Sequence, residues 1–242
     1  MEFTIDFVSV RRIIAQEYRE AREEITTLGP LAAYEQSQRR HDERIAAAPD
    51  VSTLACKNGC SWCCHFTIDV RPVEVFRILD FVERHLSAAD QERVRSEVTT
   101  NRATIQPLSD IERMQHNVRC PFLVAGRCTI YAARPQTCRN YHATDAAGCQ
   151  KSFEEPDNLD IDPEFAPLVY QYGGAHVEAF SRAMQDAGYD VAAYEMNTAL
   201  ATAMEQLAAA RKRFETKEQT FPELAGEEVP PEFMDDAERE GL

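Results

Sequence analysis

Four cysteines fall within the stretch CKNGCSWCCHF: Cys56, Cys60, Cys63 and Cys64. Thiols this dense need a backbone that turns them toward a shared partner, and the Gly, Asn and Ser between them suit a loop rather than a helix or strand. Four more, Cys120, Cys128, Cys138 and Cys149, spread over the following third of the chain. A metal ion, an iron–sulfur cluster and disulfides are the three chemistries that use such clusters. Disulfides rescue chains too small to bury a core. With 242 residues, 44% of them apolar, this chain has no such need. The first twenty residues lack a basic segment followed by an apolar run and a cleavage site, and no apolar stretch approaches the ~18 residues that span a bilayer. A cytoplasmic location is expected, where clustered cysteines hold metal more often than they pair.

The net charge of −15 argues against a nucleic-acid binder and against docking on an anionic membrane. The charge is uneven. Residues 113–144 contain no Asp or Glu but carry Arg113, Arg119, Arg127, Arg134 and Arg139; residues 51–68 again lack acids and carry Lys57. These two windows hold every cysteine except Cys149. Metal-bound thiolates accumulate negative charge, which nearby guanidinium groups offset.

Cys63 and Cys64 are adjacent, so their side chains diverge, and in extended backbone they point to opposite faces. One ion would struggle to use both. Cys64 is expected to serve a different centre from Cys63, or to be a spare or redox-active thiol. The eight sulfurs suffice for two four-sulfur sites, local or interleaved, of zinc or iron–sulfur type. Only Cys60 and Cys63 form a C-x2-C knuckle of the kind structural zinc favours. The wide, irregular gaps of the second set favour an iron–sulfur cluster, 4Fe–4S before other types.

The pattern along the chain predicts a mainly α protein: a helical domain around an irregular cysteine-rich metal-binding centre, with at most a short β-hairpin. Residues 1–50 read as N-terminal helices (5–27 and 31–47, divided by Gly29-Pro30), 51–150 as the cysteine-rich core, and 151–216 as C-terminal helices packing on it. Residues 217–242 read as an acidic disordered tail. Asp69 is expected to cap a helix running to about Leu86, and Ser87 one over 88–105. Ala125-Gly126 is expected to turn the hairpin. Gly173-Gly174 is expected to break a helix of residues 163–172 from one of 175–187, and Asp190 to cap a long helix of 191–216.

The order CKNGCSWCC followed by CPFLVAGRCTIYAARPQTCRNY resembles the YkgJ-type cysteine-cluster family, a zinc- or iron-chelating CxxCxxCC domain. The likeness rests on the cysteines together with Pro121, Phe122, Leu123, Gly126, Ile130, Tyr131, Arg134, Pro135, Arg139 and Tyr141, and departs from the pattern in a first gap of three residues rather than two. It implies bound iron or zinc and leaves the reaction open. A rival pattern, C-x3-C-x-aromatic-C over Cys56, Cys60, Trp62 and Cys63, is that of radical S-adenosylmethionine enzymes. It needs a barrel of alternating strands and helices that this helical sequence does not offer. Arg134 and Arg139 are candidates to donate to sulfur or bind an anionic ligand, unless they pair with an acidic helix such as that of Glu74 and Glu83. His65 and His142 are expected beside the centre rather than in it. Two functions follow: a redox or catalytic metalloprotein acting on an unidentified substrate, or a structural zinc-binding module serving an unidentified protein partner.

Overall fold

The computed structural model describes residues 5–57 and 59–224. Ten α-helices and two small two-stranded antiparallel sheets make up the regular structure of the described residues. The fold is mainly α, as expected, and no helix among the described residues is long and apolar enough to cross a membrane.

Helices α1 (Phe7–Leu28) and α2 (Pro30–Ala46) form a hairpin closed by Gly29, whose φ of 83° suits glycine, with Pro30 starting the second helix. Helix α8 (Pro167–Asp186) packs against both. The three meet around Glu17, which is fully buried and held by Arg40, Arg44 and the Ser37 hydroxyl, each at 2.8 Å. Helices α3 (Pro72–His85) and α4 (Ala88–Ile105) pack on α9 (Met196–Glu205), which leads into α10 (Leu207–Glu215). Phe76, Phe214 and Phe221 stack in the core between them.

The cysteine-rich segment lies between these helical groups. It contains the short helices α5 (Asp110–Met114), α6 (Gln136–Asn140) and α7 (Ala146–Glu154) and the hairpin β2 (Leu123–Val124) and β3 (Arg127–Cys128). Ala125 and Gly126 turn this hairpin with φ values of 48° and 73°, both left-handed, as a two-residue turn matching strand twist requires. The second sheet pairs β1 (Asp69–Val70) with β4 (Tyr194–Glu195).

Several local expectations are corrected. Asp69 sits in β1 and caps nothing; α3 starts at Pro72, where the fixed φ favours the first helical position, and Glu74 accepts the Arg71 N–H at 2.7 Å. Ser87 does cap α4, accepting the Asp90 N–H. Asp190 accepts from Ala192 and Thr220 instead of capping a helix. Pairing of β4 keeps the chain extended to Glu195, whose carboxylate caps α9, and a break at Gln206 separates α10. Residues 217–224 are not tail-like, since Phe221 is fully buried; 225–242 lie outside the described residues.

Gly173-Gly174 does not break α8. The packing gives each glycine its own reason. A Cβ at Gly173 would lie 1.7 Å from Asn140 Oδ1 and 3.2 Å from His41 Nε2, whereas one at Gly174 would meet nothing within 4 Å. Gly173→Ala should therefore lower stability by roughly 1–3 kcal/mol as Asn140 is displaced. Gly174→Ala should raise it by up to about 1 kcal/mol through helix propensity. Urea denaturation of both variants checks the pair, and equal effects would contradict this packing.

Candidate metal centre

The first cysteine segment is a chain of turns. Ala55 donates to the Ala143 carbonyl at 2.9 Å, which ties Cys56 to the far end of the second segment. Gly59, at φ 93°, turns the chain toward Cys60. A single 3₁₀ turn, Trp62–His65, then carries both Cys63 and Cys64. Two backbone bonds attach the second segment directly: Val118 N–H to His65 O and Cys120 N–H to Cys64 O, both 2.8 Å. Cys128 ends the hairpin, Cys138 lies on α6 and Cys149 on α7.

Seven sulfurs, all but that of Cys149, border one cavity of about 370 Å³. A void of roughly 10–15 Å³ already holds a water, so this is far more than one ion requires. Lys57, Arg127 and Arg134 also line it, and no Asp or Glu does among the described residues. The basic rim inferred from the charge pattern is thus present. All eight cysteines are unpaired. Among the described residues no three Cys, His, Asp or Glu side chains are grouped as one ion would need. The thiols surround a space instead of converging on a point.

Their electrostatic neighbours divide them. Cys149 feels Cys56 and Cys60, and burial together with these two pushes its thiol up to about 11. Cys56 in turn feels Cys60. Burial pushes Cys120 up to about 12, with Cys128 and Cys64 adding to it. Burial also raises Cys128 and Cys138; Cys64 is a neighbour of both, and Cys120 of Cys138. Cys63 and Cys64 meet at the boundary. A hydrogen bond between them holds the Cys63 proton and lowers the pKa of Cys64. Cys63 also feels Cys138 and Cys56, so the two groups are adjacent.

The surrounding residues take distinct places. Arg139 does not line the cavity. It is 2% exposed, and its guanidinium donates to Asp42 at 2.5 Å, to Ala132 O at 2.5 Å and to Arg134 O at 3.1 Å. Arg134 lines the cavity, lies 3.9 Å from the centroid of the Tyr131 ring, and is 3.5 Å from Asp42. The acidic partner of both arginines is therefore on α2, not on the helix of Glu74 and Glu83. Trp62 and His65 pack on Phe153, which fastens α7 and Cys149 to the 3₁₀ turn. His142 borders the cavity, and Tyr141 packs between Phe66 and Phe165 at its wall. Sequence reasoning missed Asp42, the partner of both arginines, and Met196, which reaches the cavity from α9. Nothing local marks them.

Residues 55–160 match the family described as "CxxCxxCC: Putative zinc- or iron-chelating domain". The chain is similar to that family over this segment, which contains all eight cysteines. No curated protein and no solved structure matches the chain.

The raised thiols make a prediction for the metal-free protein. A thiol whose folded pKa exceeds its ordinary value of 9.0 keeps its proton longer when folded, so its stabilising contribution is intact below about pH 9. It is lost as pH rises toward 11 and 12, the values for Cys149 and Cys120. The unfolding midpoint of metal-free protein should fall across that window. Metal-loaded protein, its thiolates already ionised, should lack this loss. A flat profile for the metal-free chain would contradict the burial of these sulfurs.

Proposed function

We propose that the eight cysteines form two four-thiolate centres side by side. Cys56, Cys60, Cys63 and Cys149 make one; Cys64, Cys120, Cys128 and Cys138 make the other. The observation that carries this reading is that Cys149, held to the 3₁₀ turn through Phe153, has Cys56 and Cys60 as its electrostatic neighbours, whereas Cys120, Cys128 and Cys138 share Cys64; Cys63 adjoins both groups and completes the first four.

Each centre holds an iron–sulfur cluster, of the four-iron type, rather than a zinc ion. Zinc draws four sulfurs to about 2.3 Å from one point. The thiols here border a wide cavity and are not grouped around a point. A cluster holds its ligands further apart and tolerates irregular spacing. Two adjacent clusters on one cavity wall support a redox or catalytic role, with Arg134 and Tyr131 placed beside the thiols to receive an anionic ligand. The reducing cytosol suits eight unpaired thiols. The zinc alternative, a structural module for a protein partner, is favoured by one observation: burial raises the Cys120 thiol, as expected of a ligand in a closed site. The radical-enzyme reading has no barrel to support it, since the strands of the described residues are two residues long.

Anaerobically purified protein should be brown, with iron and acid-labile sulfide. A colourless protein with about two zinc ions per chain sinks the cluster reading. Serine variants test the partition. Cys63→Ser and Cys149→Ser should each remove about half of the metal, Cys64→Ser and Cys138→Ser the other half, and Cys63→Ser with Cys64→Ser nearly all. If Cys63→Ser and Cys149→Ser deplete different centres, the assignment is wrong.

A further inference from the structure

A second cavity, of about 820 Å³, lies behind the cysteine site. That volume falls within the range of small-molecule pockets, roughly 300–1,000 Å³. Helix α6 is the wall between the two. Gln136, Thr137 and Asn140 face the second cavity, while Cys138, on the opposite side of the helix, faces the first. Tyr141 borders both.

The second cavity has the features of a built site. Gln136 is 5% exposed and its side-chain Oε1 and Nε2 have no partner within the protein. Its backbone N–H is already bound to Glu74 at 2.8 Å, so the residue is fixed while the amide stays free. Buried amides are almost always paired, and leaving one unmet costs about 1–3 kcal/mol. Arg71, at the start of α3, also lines the cavity, and its Nε is likewise buried and unmet. Across from them Gly174 lines the cavity with nothing within 4 Å of where a Cβ would be. An unbroken helix tolerates a second consecutive glycine here, where a side chain would fill the space.

The lining also selects charge. Asp162, Glu164 and Glu178 outnumber Arg71, and Tyr141, Phe165 and Tyr170 present aromatic surface. Carboxylates and aromatic faces together attract an organic cation. A free side-chain amide, donor and acceptor at once, matches another amide. We infer that this cavity binds a small organic cation carrying an amide group, held by Gln136 and by the carboxylates of Asp162, Glu164 and Glu178. The inference is independent of which metal the cysteines hold, because its test reads binding and not metal chemistry.

Argininamide, which combines a guanidinium with an amide, is the probe. Calorimetry on the full chain, metal-loaded and metal-free, should give saturable binding at one site. N-acetylglutamate, of opposite charge, should not bind. Gln136→Leu should weaken argininamide at least about tenfold, and Glu178→Gln several-fold. Gly174→Leu should abolish binding by filling the floor. The thermal midpoints of Gln136→Leu and Gly174→Leu should stay level or rise, since the first removes an unmet polar group and the second a helical glycine. Circular dichroism confirms the fold of each variant, and Gln136→Leu tests the site alone should Gly174→Leu not fold. Absence of saturable binding overturns the inference, as does binding that survives Gly174→Leu. So does tighter binding of N-acetylglutamate. A lower midpoint for Gln136→Leu would make the amide a structural group, serving the small void of about 10 Å³ beneath Tyr34 instead, and would overturn it too.

Discussion

Arg139 carries a full charge to a position 2% exposed, and the cysteine-rich loop depends on it. The stretch from Cys128 to Cys138 is largely irregular, so its carbonyls have no ladder or helix to receive them. Buried carbonyls left in that state would cost about as much as lost hydrogen bonds. The guanidinium of Arg139 takes two of them, at Ala132 and Arg134, and pairs with Asp42 on α2. A planar fork with five donors can do this; a lysine could not. Removing Asp42 would leave the buried guanidinium without its carboxylate, whereas Asp42 itself is half exposed and also reaches Arg134 at 3.5 Å.

The same device recurs around the site. Arg93 on α4 donates to Pro121 O at 2.9 Å, and Asn101, on the same helix, to Arg119 O at 2.9 Å. Glu74 on α3 accepts from Gln136 N–H and from the Tyr34 hydroxyl at 3.0 Å. Three helices that precede this segment in the chain, α2, α3 and α4, thus supply side chains to a backbone that cannot satisfy itself. This explains how seven thiols stay around one cavity without a sheet beneath them. It also explains why acids are absent from the rim: the carboxylates that stabilise the loop act from behind it, on arginines and backbone N–H groups, where they do not oppose thiolate formation.

Much of the fold was legible because its signals are local. Gly29-Pro30 divides the first two helices, Ser87 starts α4, and Ala125-Gly126 turns the hairpin. The failures share one cause. Gly173-Gly174 reads as a break because glycine weakens a helix, yet contacts from α6 and α2 decide the matter. Asp190 reads as a cap, but strand pairing between Val70 and Tyr194 holds the chain extended beyond it. That seven of the eight cysteines would border one space was legible from their clustering, but the expected divergence of Cys63 and Cys64 was not met: one 3₁₀ turn carries both, and their thiols are hydrogen-bonded to each other. The role of Arg139 was not legible, since its partner lies 97 residues away in sequence and no pattern links them. Cys149 could be tied to Cys56 and Cys60 only through Phe153, whose contacts with Trp62 and His65 place α7.

Helix α6 has five residues, and its two sides face different chemistry. Cys138 belongs to the thiol cavity, while Gln136 and Asn140 belong to the cavity behind it. So short a helix cannot move one side without the other. Its position is over-determined: Glu74 holds its first N–H, Asp42 holds Arg139, and Gly173 admits Asn140. An occupant pressing on Gln136 or Asn140 therefore acts on the segment that carries Cys138 and Tyr141. Linkage makes any such effect reciprocal, so whatever the thiols hold must act back on the second cavity by the same free energy. Helix α6 is where the cysteine-lined cavity meets the rest of the molecule.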